Sequence, residues 1–124
     1  MSYSILSKKI GQQMEHYACQ YLCQAGLQLV QKNYYYRGGE IDLIMLDQQT
    51  LCFTEVRYRR TFDYGGPIAS ITATKQKRII HTAEAFLQAH QPHYHDCRFD
   101  VVALSGKTMP YQIEWIKSAF FPTF

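Results

Sequence analysis

Asp42 and Glu55, two acids set in runs of alternating side chains, are the strongest chemical signal in this 124-residue sequence. They lie in RGGEIDLIMLDQQTLCFTEVRYRR, Arg37 to Arg60, which reads as two strands joined by a tight polar turn. Ile41, Leu43 and Met45 alternate with Glu40, Asp42, Ile44 and Leu46, and Phe53, Glu55 and Arg57 alternate with Thr54 and Val56, the period-two pattern of strands. With Gln48 and Gln49 as a two-residue loop, Asp47 faces Thr50. Counting back sets Ile44 against Phe53, Asp42 against Glu55 and Glu40 against Arg57, all on one face. Directly opposed side chains have Cβ atoms roughly 4.5 to 5.5 Å apart, where like charges are destabilising. Either the charges are solvated on a surface hairpin, with Glu40 and Arg57 an ordinary cross-strand ion pair, or a cation sits between the carboxylates. A hard divalent ion such as Mg²⁺ (or Mn²⁺) takes carboxylate oxygens and keeps several waters, so it suits such a pair.

Other residues that could do chemistry are fewer. Glu15 lies at the edge of a helical stripe containing Gly11, Ala18 and Leu22. It either pairs with a lysine or supplies a third acid directed at the hairpin. Asp100, in a strand, is either a structural acceptor or an accessory acid. Lys75, Lys77 and Arg78 crowd the first turns of a helix, where the macrodipole disfavours cations. Such a run is a solvated face or, beside a metal site, a contact for a polyanion. The histidines of HQPHYH, His90 to His95, are broken by proline and lack a carboxylate or cysteine at ligand spacing, so they read as a connecting loop. Cys19, Cys23, Cys52 and Cys97 show no paired C-x-x-C spacing, which argues against a zinc site or a disulfide framework.

The elements that must position these residues follow from periodicity. Ile10, Met14, Tyr17, Ala18, Tyr21, Leu22 and Ala25 predict an amphipathic helix over Ser7 to Ala25, ended by Gly26. Leu27 to Tyr36 reads as a strand in which most of Tyr34, Tyr35 and Tyr36 pack in the core, while one that reached the surface could stack on a base or sugar. After the hairpin, Thr61 to Ser70 is a loop marked by Gly65, Gly66 and Pro67. Thr72 caps a second helix whose inward stripe is Gln76, Ile79, Ile80, Ala83, Phe86, Leu87 and His90. Arg98 to Ser105 and Tyr111 to Ile116 are two further strands. This order predicts one α/β domain over residues 1–124, with a mixed central sheet flanked by helices. A hydrophobic content of 47% excludes a disordered chain, and a net charge of +3 makes the location of the basic residues matter more than their number. No apolar run reaches the roughly 20 residues of a membrane helix, and the start MSYSILSKKIGQQ lacks a signal-peptide core, so the expectation is a cytoplasmic protein.

Asp42 followed by Glu55-Val56-Arg57 resembles the PD-(D/E)xK nuclease signature. More specifically, nearly the whole chain resembles the YraN-like family of small bacterial predicted endonucleases, related to archaeal Holliday-junction resolvases. The resemblance is carried by Gly11, Glu15, Ala18, Asn33, Gly39 to Ile44, Phe53, Glu55-Val56, Arg59, Gly65, Lys75-Gln76, Arg98 to Val102 and Ala119-Phe120. It implies a restriction-endonuclease-like fold and Mg²⁺- or Mn²⁺-dependent hydrolysis of DNA, branched or otherwise structured, with a homodimer as a further expectation. It also implies that Asp42 and Glu55 hold the metal, with Glu15 an accessory ligand, and that Arg57 stabilises charge on the phosphate. Gln76 would help place the attacking water, and Arg37, Arg59, Arg60, Lys75, Lys77 and Arg78 would contact the DNA backbone. Two departures stand out. Met14 replaces a glycine of the first helix, and Arg57 stands where lysine is usual. Arginine stays protonated and cannot act as a general base. The sequence therefore implies a slow nuclease, one whose lysine role has moved to Lys75, or a DNA-binding module that has lost catalysis.

Overall fold

The computed structural model describes residues 3–61, 66–90 and 93–122. Phe62 to Gly65 of the expected loop lie outside the described residues, as do Gln91 and Pro92 of HQPHYH. The expected elements are present and in the expected order: α1 (Tyr3–Gln24), β1 (Gln28–Tyr36), β2 (Gly39–Asp47), β3 (Thr50–Arg59), α2 (Ala73–His90), β4 (Asp96–Ser105) and β5 (Gln112–Phe120). They build a single small α/β domain around a five-stranded sheet in the order β1-β2-β3-β4-β5. The β3–β4 pair is parallel and the other pairs are antiparallel. A parallel neighbour cannot be reached by a hairpin, and α2 supplies the crossover. Among the described residues no helix is long and apolar enough to cross a membrane.

Alternation along the central strands feeds a core on each face. Leu51 and Phe53 join Ile79, Ile80, Ala83 and Phe86 of α2, with Phe99 and Val101 of β4. Cys52 joins Met14, Ala18, Cys19 and Leu22 of α1, with Val102 and Leu104. The two helices therefore cover opposite faces. Burial on α1 starts only at Met14, because Ile10 is 42% exposed, and Tyr21, expected inward, is 37% exposed. The Thr72 hydroxyl oxygen accepts the Lys75 N–H at 3.2 Å, so the expected N-cap of α2 is formed. Strand β5 runs past Ile116 to Phe120, with an irregular register opposite Phe99 to Val101 and Ser118 in the left-handed region at φ 52°. Asp100 holds that irregularity. Fully buried, it accepts from Arg98 Nε, Trp115 Nε1 and the Ser118 N–H at 3.0 to 3.1 Å, while Arg98 reaches Asp47 at 2.9 Å. Asp100 is thus a structural acceptor tying β4 to β5 and, through Arg98, to the end of β2.

The hairpin register is the expected one from Asp47↔Thr50 to Leu43↔Thr54, with Gln48 at φ 57° in the two-residue turn. The expectation that Glu40, Asp42 and Ile44 share a face does not hold. Ile41 and Ile44, three residues apart, pack in the same α2-side cluster, whereas Leu43 and Met45 pack on the α1 side. Strict alternation would put Ile41 and Ile44 on opposite faces, so it breaks between them. On β1, the break is matched by Asn33, left-handed at φ 50°, which falls between the pairs Lys32↔Leu43 and Tyr34↔Ile41. Asparagine tolerates that region better than β-branched or bulky residues do.

The start of β2 is fixed from the other side by Gly39. A Cβ there would fall on the Thr82 hydroxyl oxygen and lie 3.1 Å from the Arg78 carbonyl of α2. Thr82 is buried and short, and the carbonyl is backbone, so neither yields easily. We expect Gly39→Ala to lower stability by roughly 1 to 3 kcal/mol, as overpacking does. Urea unfolding checks it, and an unchanged midpoint would show that α2 and β2 can separate without cost.

Candidate metal centre

The acidic centre forms where β2 and β3 stop pairing. Beyond Leu43↔Thr54, β3 follows β4 through Arg59↔Ser105 and no longer pairs with β2. The Val56 N–H, which faces β2, finds no ladder carbonyl and instead donates to Asp42 Oδ2 at 2.8 Å. The break in alternation turns Glu40 and Asp42 toward α1, where Glu15 waits one position beyond Met14. Carboxylate oxygens of Glu15, Glu40 and Asp42 lie within 4.8 Å of one another, and no other group of metal-type ligands gathers like this among the described residues. Asn33 joins two of the three, its Nδ2 donating to Glu15 Oε1 at 3.0 Å and to Glu40 Oε1 at 2.9 Å.

Glu55, 7% exposed, is buried on β3 opposite Val101, beside these three acids but outside their 4.8 Å group. Its closest cation is Arg57, with Nη2 3.9 Å from Glu55 Oε2, a distance too long for a strong hydrogen bond. Glu55 Oε1 and Arg57 Nε are buried and without hydrogen-bond partners among the described residues. The sequence-based pairing of Arg57 with Glu40 is therefore corrected: Glu40 is held by Asn33, and Arg57 lies against Glu55.

The electrostatics follow from this crowding. Burial pushes Asp42 up to about 7 from an ordinary 3.8, and Glu15 and Glu40 add to the rise, while the Val56 N–H and Arg57 oppose it. Burial, then the Asp42 charge, hold Glu55 well above the usual carboxylate range against the pull of Arg57. Glu15 is raised by burial and by Glu40, with the Asn33 amide opposing. A carboxylate pair with a buried orphan oxygen, backed by two further acids, fits a hard divalent cation by donor type, because such an ion would relieve the repulsion and partner the oxygen.

The remaining sequence-derived residues fall at several places. Gln76 Nε2 donates to the Ile71 carbonyl at 3.1 Å, at the start of α2. Arg37, its guanidinium 5.2 Å from the Tyr36 ring centre, lines a notch of about 300 Å³ together with Arg78. Lys75 and Lys77 are exposed on α2, and Arg60 is exposed beyond β3. Arg59 lines, with Arg57, a larger cavity of about 700 Å³. Sequence reasoning missed two members of the centre. Glu40 is set against Arg57 by the period-two register, and Asn33 stands only among the residues that carry the family resemblance, with no role attached. Tyr35 was not singled out from its neighbours, yet it pairs with Glu40 across β1 and β2, and that charge raises its phenol above the usual value.

A carboxyl that binds its proton more tightly in the folded than in the unfolded chain stabilises the fold while protonated. For Asp42 that contribution is complete below about 3.8 and is lost as pH rises through about 7. In the absence of divalent ions the melting temperature should therefore fall by several degrees between about pH 5 and about pH 8. Asp42→Asn should flatten that fall, and Mn²⁺ should reverse it at the upper end. Thermal melts followed by circular dichroism check this, and a metal-free protein equally stable across the range would contradict it.

Comparison with known proteins places the chain. Curated relatives from Coxiella burnetii, Alcanivorax borkumensis and Psychromonas ingrahamii are 50%, 46% and 49% identical over 115, 118 and 115 residues. Those matches cover 92% of this chain and 93%, 93% and 91% of the relatives, and each relative is described only as a UPF0102 protein. The model of the uncharacterised protein family UPF0102 matches residues 14–104, a span that includes all four acids of the centre. The chain belongs to the uncharacterised protein family UPF0102.

Proposed function

We propose that this protein is a metal-dependent nuclease that hydrolyses phosphodiester bonds in DNA, with branched or otherwise structured DNA as its substrate class. The observation that carries the reading is the gathering of Glu15, Glu40 and Asp42 at the split between β2 and β3, with Glu55 buried on β3 and its Oε1 acceptor without a partner among the described residues. The resemblance of Asp42 and Glu55-Val56-Arg57 to the PD-(D/E)xK signature supports the reading, and the mixed sheet is compatible with a restriction-endonuclease-like fold. Asp42 and Glu55 would hold Mg²⁺ or Mn²⁺, with Glu15 and Glu40 supplying charge behind them. When bound, the ion lowers the pKa of a water and offsets charge on the scissile phosphate.

The chain's own residues do the rest. The Val56 N–H fixes the Asp42 carboxylate, and Asn33 fixes Glu15 relative to Glu40. Arg57, half-buried beside Glu55, presents a permanent positive charge to a phosphate but cannot accept a proton. The Gln76 amide nitrogen is engaged with Ile71, which leaves its oxygen as the atom to position a water. Arg37, Arg59, Arg60, Lys75, Lys77 and Arg78 would contact the backbone without reading sequence. Removing one such contact should flatten the log–log salt dependence of duplex binding by roughly 0.9. A homodimer is part of the same proposal, because a branched substrate presents two strands to be cut. A second reading, a DNA-binding module without catalysis, is favoured by Arg57 at the position of the signature's lysine.

A cleavage panel of single-stranded, duplex, flap and four-way DNA with Mg²⁺ or Mn²⁺ tests the proposal. Asp42→Ala should abolish cleavage, and Arg57→Lys should raise it about tenfold or more, equivalent to roughly 1.4 kcal/mol of barrier. Loss of cleavage in Lys75→Ala together with no gain in Arg57→Lys would assign the lysine role to Lys75. Salt-sensitive binding without cleavage of any DNA would leave the binding module, and neither binding nor cleavage would leave a scaffold protein.

A further inference from the structure

The cavity of about 700 Å³ shares Arg57 with the acidic centre. It falls within the roughly 300 to 1,000 Å³ typical of small-molecule sites. Its floor is built by the sheet register. Arg57 pairs with Ala103, which pairs with Glu114, and Arg59 pairs with Ser105, which pairs with Gln112. Directly paired residues share a face. Two rows therefore cross β3, β4 and β5, each running from a guanidinium through a small side chain to a polar one. The small central residues, Ala103 and Ser105, open the space, and Pro67 and Ala69 wall it from the segment before α2.

We propose that this cavity takes a single unpaired nucleotide of the DNA strand whose phosphate lies at the acidic centre. The inference rests on the nuclease reading and names its substrate class more narrowly, as DNA with an unpaired nucleotide next to the cut. Arg57 and Arg59 stand on the β3 side, Arg57 with its guanidinium 3.9 Å from Glu55, and Arg57 would take the phosphate. The base lies over Ala103 and Ser105, in a largely apolar space with the flatness that a sheet floor imposes. Its polar edge meets Gln112 and Glu114 on β5, and a carboxylate there accepts from an exocyclic amine such as that of cytosine. A base inside a duplex cannot enter, because it is stacked and paired, and an extrahelical one costs less to seat. The gradient from cationic to neutral and acidic across the floor matches a nucleotide end to end, and a uniformly anionic or uniformly apolar ligand would match only half of it.

Fluorescence anisotropy with Ca²⁺ in place of Mg²⁺ tests this on three labelled duplexes: fully paired, with one unpaired cytosine, and with that position abasic. The wild type should bind the unpaired cytosine about tenfold tighter than the abasic duplex. Ala103→Leu, which fills the floor, should erase that preference while leaving the affinity for the abasic and paired duplexes and the heat of Mn²⁺ binding unchanged. Should Ala103→Leu fail to fold, Ala69→Leu on the exposed wall gives the same reading. Equal affinity of the wild type for the unpaired and abasic duplexes overturns the subsite alone, provided Mn²⁺ binding is intact. Preference retained in a folded, cavity-filled variant also overturns it. A wild type that binds none of the duplexes overturns the subsite together with the nuclease reading.

Discussion

Repulsion among four carboxylates gathered at one strand split is the constraint on which the candidate site depends. Glu15, Glu40 and Asp42 bring oxygens within 4.8 Å of one another, and Glu55 is buried under the influence of Asp42. Without a cation, the chain answers this repulsion in three ways. It protonates, with Asp42 raised to about 7; it bridges Glu15 to Glu40 with the Asn33 amide; and it sets Arg57 beside Glu55 at a distance that does not satisfy either group. None of these neutralises the centre fully, because even with Lys32 acting on Glu15 and the Val56 N–H on Asp42, one amide and one loosely placed guanidinium face four acids. Buried carboxylates left so poorly matched cost stability.

The architecture that maintains this strain is economical in sequence. A parallel partner for β3 draws it away from β2 beyond Thr54, which opens the split and frees the Val56 N–H for Asp42. The matched irregularities at Asn33 on β1 and between Ile41 and Ile44 on β2 rotate Glu40 and Asp42 onto the α1 face without interrupting the core on either side. Gly39 presses the start of β2 against α2, while the next residue, Glu40, meets Glu15 of α1. On the far side of the sheet's centre, the Asp100 network plays the opposite electrostatic role. Its acid is fully buried but met by donors from Arg98, Trp115 and Ser118, which makes it structural.

Much of this was legible in the residues. The elements, the two-residue turn, the hairpin register down to Leu43↔Thr54 and the Thr72 cap follow from local patterns, and local patterns are what a sequence expresses directly. The register stops one pair short of Asp42 and Glu55, so their expected direct opposition is not formed. The faces were not legible, because period-two counting assumes an unbroken pleat, and a single left-handed residue on the neighbouring strand is enough to reverse it. That error misassigned Glu40 to Arg57 and hid Asn33. The two-row cavity floor was equally out of reach, since Arg57 meets Ala103, and through it Glu114, only by a parallel pairing that neither strand announces.

The account stands or falls on where a divalent ion sits. Crystals of the wild-type protein grown with Mn²⁺ should give a single strong anomalous-scattering peak between the carboxylates of Asp42 and Glu55, at roughly 2.0 to 2.2 Å from an oxygen of each as in other hard-cation sites. The peak should vanish in Asp42→Asn. A peak confined to Glu15 and Glu40, or a wild type with no peak at the strand split, would contradict the claim that these carboxylates are gathered to hold a metal.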